Sequence, residues 1–528
     1  MSASDKKKLR AAERAEKLTE RQQAEQKEAK KLKIMTIAFV VTLAVMVVFA
    51  AYIGITKTIE GKGIREKNTV ALTVGEHEIS NAELTYYYVD NINNFMNNYG
   101  GYATLLGLDT TKPLNEQIRD EATGKTWADD FLNTAVENVK AVYAMNDAAK
   151  AEGFALTEEQ KTNVDGIISN MQASALLYYG YPDLNTYLKA MYGNGADEES
   201  FRQYVLMSYT ADAYQAHYND SLTYEDADIR EEEAKDFDAY TSYSYNYYYL
   251  NGSNFDNLEA AEEAAKLLTA EEIDSVEALN AAIAALPVNA ESTTAASNES
   301  KDVLHNNVNA AFAEWVTDSA RKAGDLTYIP HNYTSTDENG KETTELRGYY
   351  VVMFNGRNDN NTAMANVRHI LVAFEGGSYD ANTGLTNYSA EEKLTAKLEA
   401  EKLLEEWKNG AADEESFAAL ANEKSDDGDG TTGGLYENIN PSTNFVSSFK
   451  NWALGKHLAG DTGIIESEYG YHIMYYAGES QLTYRDYMIE STLRSNDLSK
   501  WYTELVDAAS AEIVDTKYIP ADLILSAN

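Results

Sequence analysis

Two stretches decide how this chain is read: Asn366-Val367-Arg368-His369-Ile370-Leu371-Val372 and, downstream, Tyr469-Gly470-Tyr471-His472-Ile473-Met474. Each sets one histidine in an apolar run. Between them lie a helical segment, the run Ser416-Phe417-Ala418-Ala419-Leu420-Ala421, the acidic turn Ser425-Asp426-Asp427-Gly428 and Gly433-Gly434-Leu435. The same frame recurs upstream. Phe312-Ala313-Glu314-Trp315, Gly324-Asp325 and Gly348-Tyr349-Tyr350-Val351-Val352 run parallel to Phe449-Lys450-Asn451-Trp452, Gly460-Asp461 and Gly470-Tyr471-His472-Ile473-Met474. Tyr245-Asn246-Tyr247-Tyr248-Tyr249-Leu250 takes the place of 367–372. A unit present twice is the economical explanation, with chance similarity of aromatic-rich strands as its competitor. In the upstream copy both histidine positions hold tyrosine, Tyr247 and Tyr350, and Val288–Ser300 offers neither an acidic turn nor Gly-Gly-Leu.

In this order the downstream motifs resemble a parvulin-type (PpiC, rotamase) peptidyl-prolyl isomerase from Asn366 to Glu479. The resemblance implies a small antiparallel sheet wrapped by helices. It implies His369 and His472 facing each other on adjacent central strands, and Asp427 beside them, as the catalytic residues. It also implies a proline pocket of Leu435, Phe445 and Phe449 with Tyr469 at its rim, Phe445 standing where the family often has Met. No cofactor and no metal are expected. The upstream copy is then a degenerate parvulin-like domain.

Each assignment has a plainer alternative. The histidines can be a hydrogen-bonded pair that only fixes the sheet, and Asp427 can be a turn former, since Asp and Gly suit such turns. Phe449 and Trp452 recur as Phe312 and Trp315 in the copy without histidines, which argues for a core role. Isomerisation itself needs no covalent intermediate. Its obstacle is the amide resonance barrier of ~18–20 kcal/mol. An apolar pocket lowers the cost of the twisted bond, which has lost the charge separation of the planar one.

The N-terminal 33 residues are polar, with eleven Lys/Arg against six Asp/Glu, a balance of +5. Ile34–Ile55 follows with no charged residue, about the ~20 apolar residues that cross a bilayer core. We expect a transmembrane helix over 34–56, with 1–33 cytoplasmic by the positive-inside rule and the remainder extracytoplasmic. A cleaved signal peptide is the competing reading, although the apolar stretch exceeds the ~7–15 residues of such a region. The whole chain carries −41, so everything past the basic segment carries −46. That surface repels nucleic acid and anionic lipid. The chain has no cysteine, so lipid attachment through cysteine and disulfide staples are both excluded.

At 528 residues the chain exceeds one hydrophobic core, which stops growing near ~250–300 residues. At least three folded units are expected. After a linker at 57–68, Thr69–Val74 reads as a strand closed by Gly75-Glu76, and Ser80 with Glu83 reads as a capping box. Helices are expected around Trp127–Glu152, Thr157–Tyr179, Leu184–Tyr192 and Glu198–Tyr218. This order resembles the N-terminal chaperone domain of the SurA and PrsA foldases, here over 69–230. The degenerate domain then spans 231–360, the isomerase domain 361–480, and 481–528 holds a helix returning to the chaperone domain, with Leu498, Trp501, Tyr502 and Leu505 on one face. The fold class is thus α+β and multidomain, with a single transmembrane helix, one helical domain and two parvulin-like domains. The 38 tyrosines cluster at Tyr86–Tyr88, Tyr178-Tyr179 with Tyr181, and Tyr245 to Tyr249. Such residues can line an adhesive cleft or simply pack in cores.

Other chemistries fail. Gly428, Gly430 and Gly433 spell a G-x-G-x-x-G with no strand before it and no helix after it. His77, His217, His305, His331 and His457 have no metal-ligand spacing, and Glu375–Ala390 contains no Lys or Arg to read a phosphate. The resemblance implies a membrane-anchored extracytoplasmic foldase whose partners are unfolded or newly secreted proline-containing chains. A holdase with inert parvulin-like domains and an envelope adaptor are the alternatives.

Overall fold

The computed structural model describes residues 60–525 except 271, 287–295, 337–339, 382–383 and 429, with isolated positions before residue 60. The expected transmembrane segment lies almost wholly outside the described residues, and among those described no helix is long and apolar enough to cross a membrane. The chain divides into two compact units, one running to Leu222 and resuming at Leu498, the other Thr223–Asp497. At least three folded units were expected; both copies of the repeated frame fall in the second of these two.

The first unit is helical. Ser80 caps the helix Asn81–Tyr99, its side chain accepting the Glu83 amide. The box is only half made, because the Glu83 carboxylate accepts the Tyr143 hydroxyl at 2.6 Å instead. Thr157 does form a reciprocal box with Gln160 and opens Glu158–Leu177. Trp127–Glu152 ends at Gly153, whose φ of 74° is the left-handed conformation that glycine tolerates. Leu184–Tyr192 and Glu198–Ser221 complete the bundle. Tyr86, Tyr87 and Tyr88 are buried core residues. Of the two readings of this cluster, core packing is the one the helix adopts, with Leu84, Val89 and Ile92 also buried. Tyr178 and Tyr179 are instead exposed. The final segment departs from a pure helix: after Tyr484–Ala508 the chain forms a short strand, Ala511–Ile513, that pairs antiparallel with Val70–Val74. The later part of that helix packs Trp501 flat on Tyr218, centroids 4.2 Å apart.

The second unit holds two four-stranded antiparallel sheets of one topology. The first runs Asn298–Leu304, Ser242–Asn251, Glu342–Asn358, Leu326–Thr336; the second runs Leu435–Ile439, Ala363–Ala373, Gly470–Thr483, Thr462–Glu466. In both, the spatial order is second, first, fourth, third. The pairing agrees residue by residue: Tyr247 faces Val352 as His369 faces Met474, and Ile329 faces Tyr350 as Ile465 faces His472. Even the turns agree. The Gly324 amide donates to the Phe354 carbonyl and the Phe354 amide to that of Asp325, as Gly460 does to Tyr476 and Tyr476 to Asp461.

Helices Ala390–Asn409 and Glu414–Lys424 cover one face of the second sheet through Leu403, Trp407 and Phe417. Ser447–Ala453 covers part of the other through Phe449 and Ala453. The two sheets are tied by Arg485, a fully buried cation that pairs with Glu233 and donates to the Asp359 carbonyl at 3.1 Å. Phe237 lies flat under its guanidinium at 3.7 Å.

Candidate active site

His369 and His472 lie on adjacent central strands, Ala363–Ala373 and Gly470–Thr483, with Leu371 opposite His472. They are therefore diagonal neighbours on one face of the sheet. Their Nδ1 atoms approach to 3.1 Å and the rings stack at 24°. Both are nearly buried, 2% and 5% exposed.

Local sequence explains how the third member arrives. The Asp426 amide donates to the Leu371 carbonyl, while the Ser425 hydroxyl accepts the Leu371 amide and the Asp426 carboxylate accepts the Ala373 amide. The acidic turn is thereby stitched to the edge of the His369 strand. This brings Asp427 Oδ2 to 3.0 Å from His369 Nε2. Gly434 makes the close approach possible: at φ 64°, a Cβ there would stand 2.1 Å from the His369 carbonyl oxygen, whose own amide donates to Gly434 O.

The bonds fix the protons. An ionised Asp427 only accepts, so His369 Nε2 carries hydrogen and Nδ1 is left as an acceptor. His472 must then donate from Nδ1 and accept at Nε2, where the Ser467 hydroxyl lies at 2.8 Å. One directed chain results, Ser467 to His472 to His369 to Asp427, with both imidazoles neutral. Electrostatics agrees. Burial lowers the His472 pKa to about 4, helped by its histidine neighbour, and Asp427 opposes this only in part. Burial likewise lowers His369 against the pull of Asp427.

Above the pair is an apolar cleft of about 290 Å³. Of the seven residues expected at the site, His369, Asp427, His472, Phe445, Phe449 and Tyr469 line it. Phe449 sets its edge on both imidazoles, at 5.2 and 5.6 Å, and packs on Phe445 at 4.9 Å. Tyr469 is exposed at the rim. Leu435 does not line the cleft, and its assignment is corrected. It pairs with Arg368 on the neighbouring strand, and strand alternation sends successive side chains to opposite faces. Tyr436, one residue on, is the wall, its hydroxyl donating to Asp427 Oδ2 at 3.2 Å.

Sequence reasoning missed Tyr436 through that one-residue slip, and also missed Leu371, Asn444, Val446 and Ser467. The alternation of Leu435-Tyr436-Glu437 held a signal for Tyr436. Ser467 held one as well, standing in the turn that precedes Tyr469-Gly470-Tyr471-His472.

Residues 349–478 match the family profile described as PPIC-type PPIASE domain. No curated protein matches the chain. Among solved structures, peptidylprolyl isomerase (PrsA) from Bacillus cereus is 21% identical over 28% of this chain, TM-score 0.18. The chain spans half the length of that protein. PrsA from Bacillus subtilis is 13% identical, the match covering 76% of this chain and 92% of that one, TM-score 0.29. A SurA-like chaperone of Campylobacter jejuni is 13% identical, covering 55% and 82%, TM-score 0.15. Because the stretch matched by the profile takes in every residue that lines the cleft, the chain carries a PPIC-type, that is parvulin-type, peptidyl-prolyl isomerase domain.

Proposed function

We propose that the chain is a membrane-anchored extracytoplasmic foldase in which the cleft over His369 and His472 turns over X-Pro bonds of secreted chains and the helical unit holds those chains. The observation that carries the catalytic part is the directed hydrogen-bond chain, which consumes every imidazole nitrogen. The floor of the cleft therefore offers a bound peptide no strong competing donor. A prolyl ring can lodge against Phe445 and Phe449, and a dry wall favours the twisted amide over the planar, charge-separated one. The Asp427 carboxylate adds a negative field that disfavours the planar form wherever the amide oxygen lies near it, a differential effect on ground and twisted states. Supporting the anchor are the uncharged run Ile34–Ile55 and the +5 segment before it.

The test is relaxation of a short X-Pro peptide from cis to trans. Full chain should accelerate it, and His472→Ala or Asp427→Asn should remove most of the acceleration. Equal rates with and without protein would remove the catalytic reading. Location is tested separately: protease added to intact cells should degrade the portion after residue 56 and spare 1–33.

A holdase reading draws on one observation, the first sheet, where Tyr247 and Tyr350 stand in register with the histidines. We read that sheet as a parvulin-like domain without isomerase chemistry. If client aggregation is suppressed equally by the chain and by a His369→Ala, His472→Ala variant, and no peptide is turned over, the holdase reading prevails.

A further inference from the structure

Beside the prolyl cleft lies a second hollow of about 410 Å³, and Tyr469 is a wall of both. It is closed on one side by the hairpin in which Ser378–Asp380 pairs with Leu385–Asn387. Its walls include Phe374, Leu385, Tyr388 and Tyr469, and its charged groups are Lys393 and Glu468. Lys393 is already neutralised. Its ammonium donates to Glu466 at 2.9 Å and sits 5.3 Å from the Phe374 ring centre, while the other Glu466 oxygen accepts the Tyr471 hydroxyl. Glu468 is exposed and meets no cation among the described residues. Glu375 adds a further exposed carboxylate, and residues 374–389 contain no lysine or arginine.

We propose that this hollow is a second subsite of the isomerase cleft and takes a lysine or arginine side chain next to the proline. The inference rests on the reading of the His369–His472 cleft as the seat of the prolyl bond. A long cationic side chain fits both halves of the surface. Its aliphatic stem lies along Leu385, Tyr388 and Tyr469, and its charged head meets Glu468 and the ring faces. A glutamate in the same place faces like charge, and a leucine lacks the head. Continuity through Tyr469 makes the two hollows one groove, so a peptide with its proline over Phe449 runs its neighbour past the hairpin.

The full chain is tested with five peptides that carry one proline flanked by Lys, Arg, Leu, Phe or Glu, placed before it in one set and after it in another. Kd is read by fluorescence anisotropy and turnover by exchange NMR. In one of the sets, Lys and Arg should exceed Glu by roughly tenfold, the ratio shrinking at high salt. Glu468→Gln should cut that ratio to about threefold or less, whereas Glu405→Gln, toward the far end of the helix Ala390–Asn409 from Lys393 and outside the hollow's lining, should leave it. Equal affinity for Lys and Glu peptides, a preference for Phe over Lys, or a ratio indifferent to Glu468→Gln would each overturn the subsite. Ranked binding without any turnover keeps the subsite and removes the isomerase reading. Turnover without ranking removes the subsite alone.

Discussion

Acid should unfold the isomerase domain through its imidazole pair, and the amount can be worked out. His472 has a folded-state pKa of about 4 because burial penalises its charged form. In the unfolded chain the value returns to about 6.5. Above that pH neither state holds the proton and the group contributes nothing. As pH falls below about 6.5 the unfolded chain takes up a proton that the folded domain refuses, so stability is lost progressively until pH reaches about 4. The gap of roughly 2.5 units at 1.36 kcal/mol each amounts to about 3 kcal/mol. At pH 5 about 2 kcal/mol is already gone. His369 is displaced in the same direction and adds to the loss. Relief of repulsion among the many carboxylates acts oppositely, but equally in a variant without the ring. The comparison is therefore between the chain and His472→Gln, by urea unfolding at pH 7.5, 6, 5 and 4. Loss of stability with acid should be about 3 kcal/mol smaller in the variant. Imidazole NMR gives a direct second reading. A His472 that titrates near pH 6, or two proteins with parallel pH profiles, would refute both the tautomer assignment and the dry floor.

The same neutral pair predicts that kcat/KM for an X-Pro peptide stays flat from about pH 8 down to 6 and falls only as pH approaches 4; stopped-flow assays across that range check it. Tyr436→Phe removes a hydroxyl from Asp427 and should cost about 1 kcal/mol of stability, with a few-fold loss of turnover. Arg485→Met leaves the Glu233 carboxylate with the more exposed Arg230 as its cation and removes the donor to the Asp359 carbonyl, and should destabilise the second unit by about 2–3 kcal/mol in urea. Gly434→Ala puts a methyl against the His369 carbonyl at a left-handed φ and should cost at least about 2 kcal/mol, with turnover falling in step. In the helical unit Asp90 is held, among the described residues, only by the Tyr192 and Tyr204 hydroxyls, and burial raises its pKa. A carboxyl raised on folding stabilises below its unfolded pKa and loses that contribution as pH rises through the folded one. Asp90→Asn should thus raise stability at pH 7, and urea unfolding at pH 4 and 7 checks the sign.

Local signals were legible and distant ones were not. The helix Leu184–Tyr192 was read to the residue, because its periodicity lies within the segment itself. Ala511–Ile513 was read as the end of a helix, yet it is a strand. Three residues carry no period, and its partner Val70–Val74 lies at the other end of the chain. The Glu83 side chain was read into a capping box from spacing alone. It went to Tyr143, sixty residues away, since a buried carboxylate takes the strongest donor available. Arg485 gave no warning either. A cation in the first turn of a helix reads as solvated, and only the fold brings Glu233, Phe237 and Asp359 around it.

The two sheets separate frame from chemistry more sharply than the motifs did. Phe312 touches Tyr247 and Tyr350, centroids 5.7 and 5.3 Å away, as Phe449 touches the two histidines. The aromatic lid therefore belongs to the frame and cannot by itself mark a catalytic centre. What differs is the polar chain. In the register position of Ser467, just past the end of the strand Thr462–Glu466, the first sheet has His331, whose Nδ1 meets the Tyr249 hydroxyl at 2.9 Å. That neighbourhood is ring against ring, with no carboxylate at its end among the described residues. Among the described residues only the second sheet ends its hydrogen-bond chain on a carboxylate that also borders the cleft, and that end fixes the direction of every proton behind it. Asp427, which a turn alone would explain, is thus where the polar chains of the two sheets part among the described residues. Asp427→Asn should reverse or scramble the tautomers and depress turnover while leaving the sheet intact.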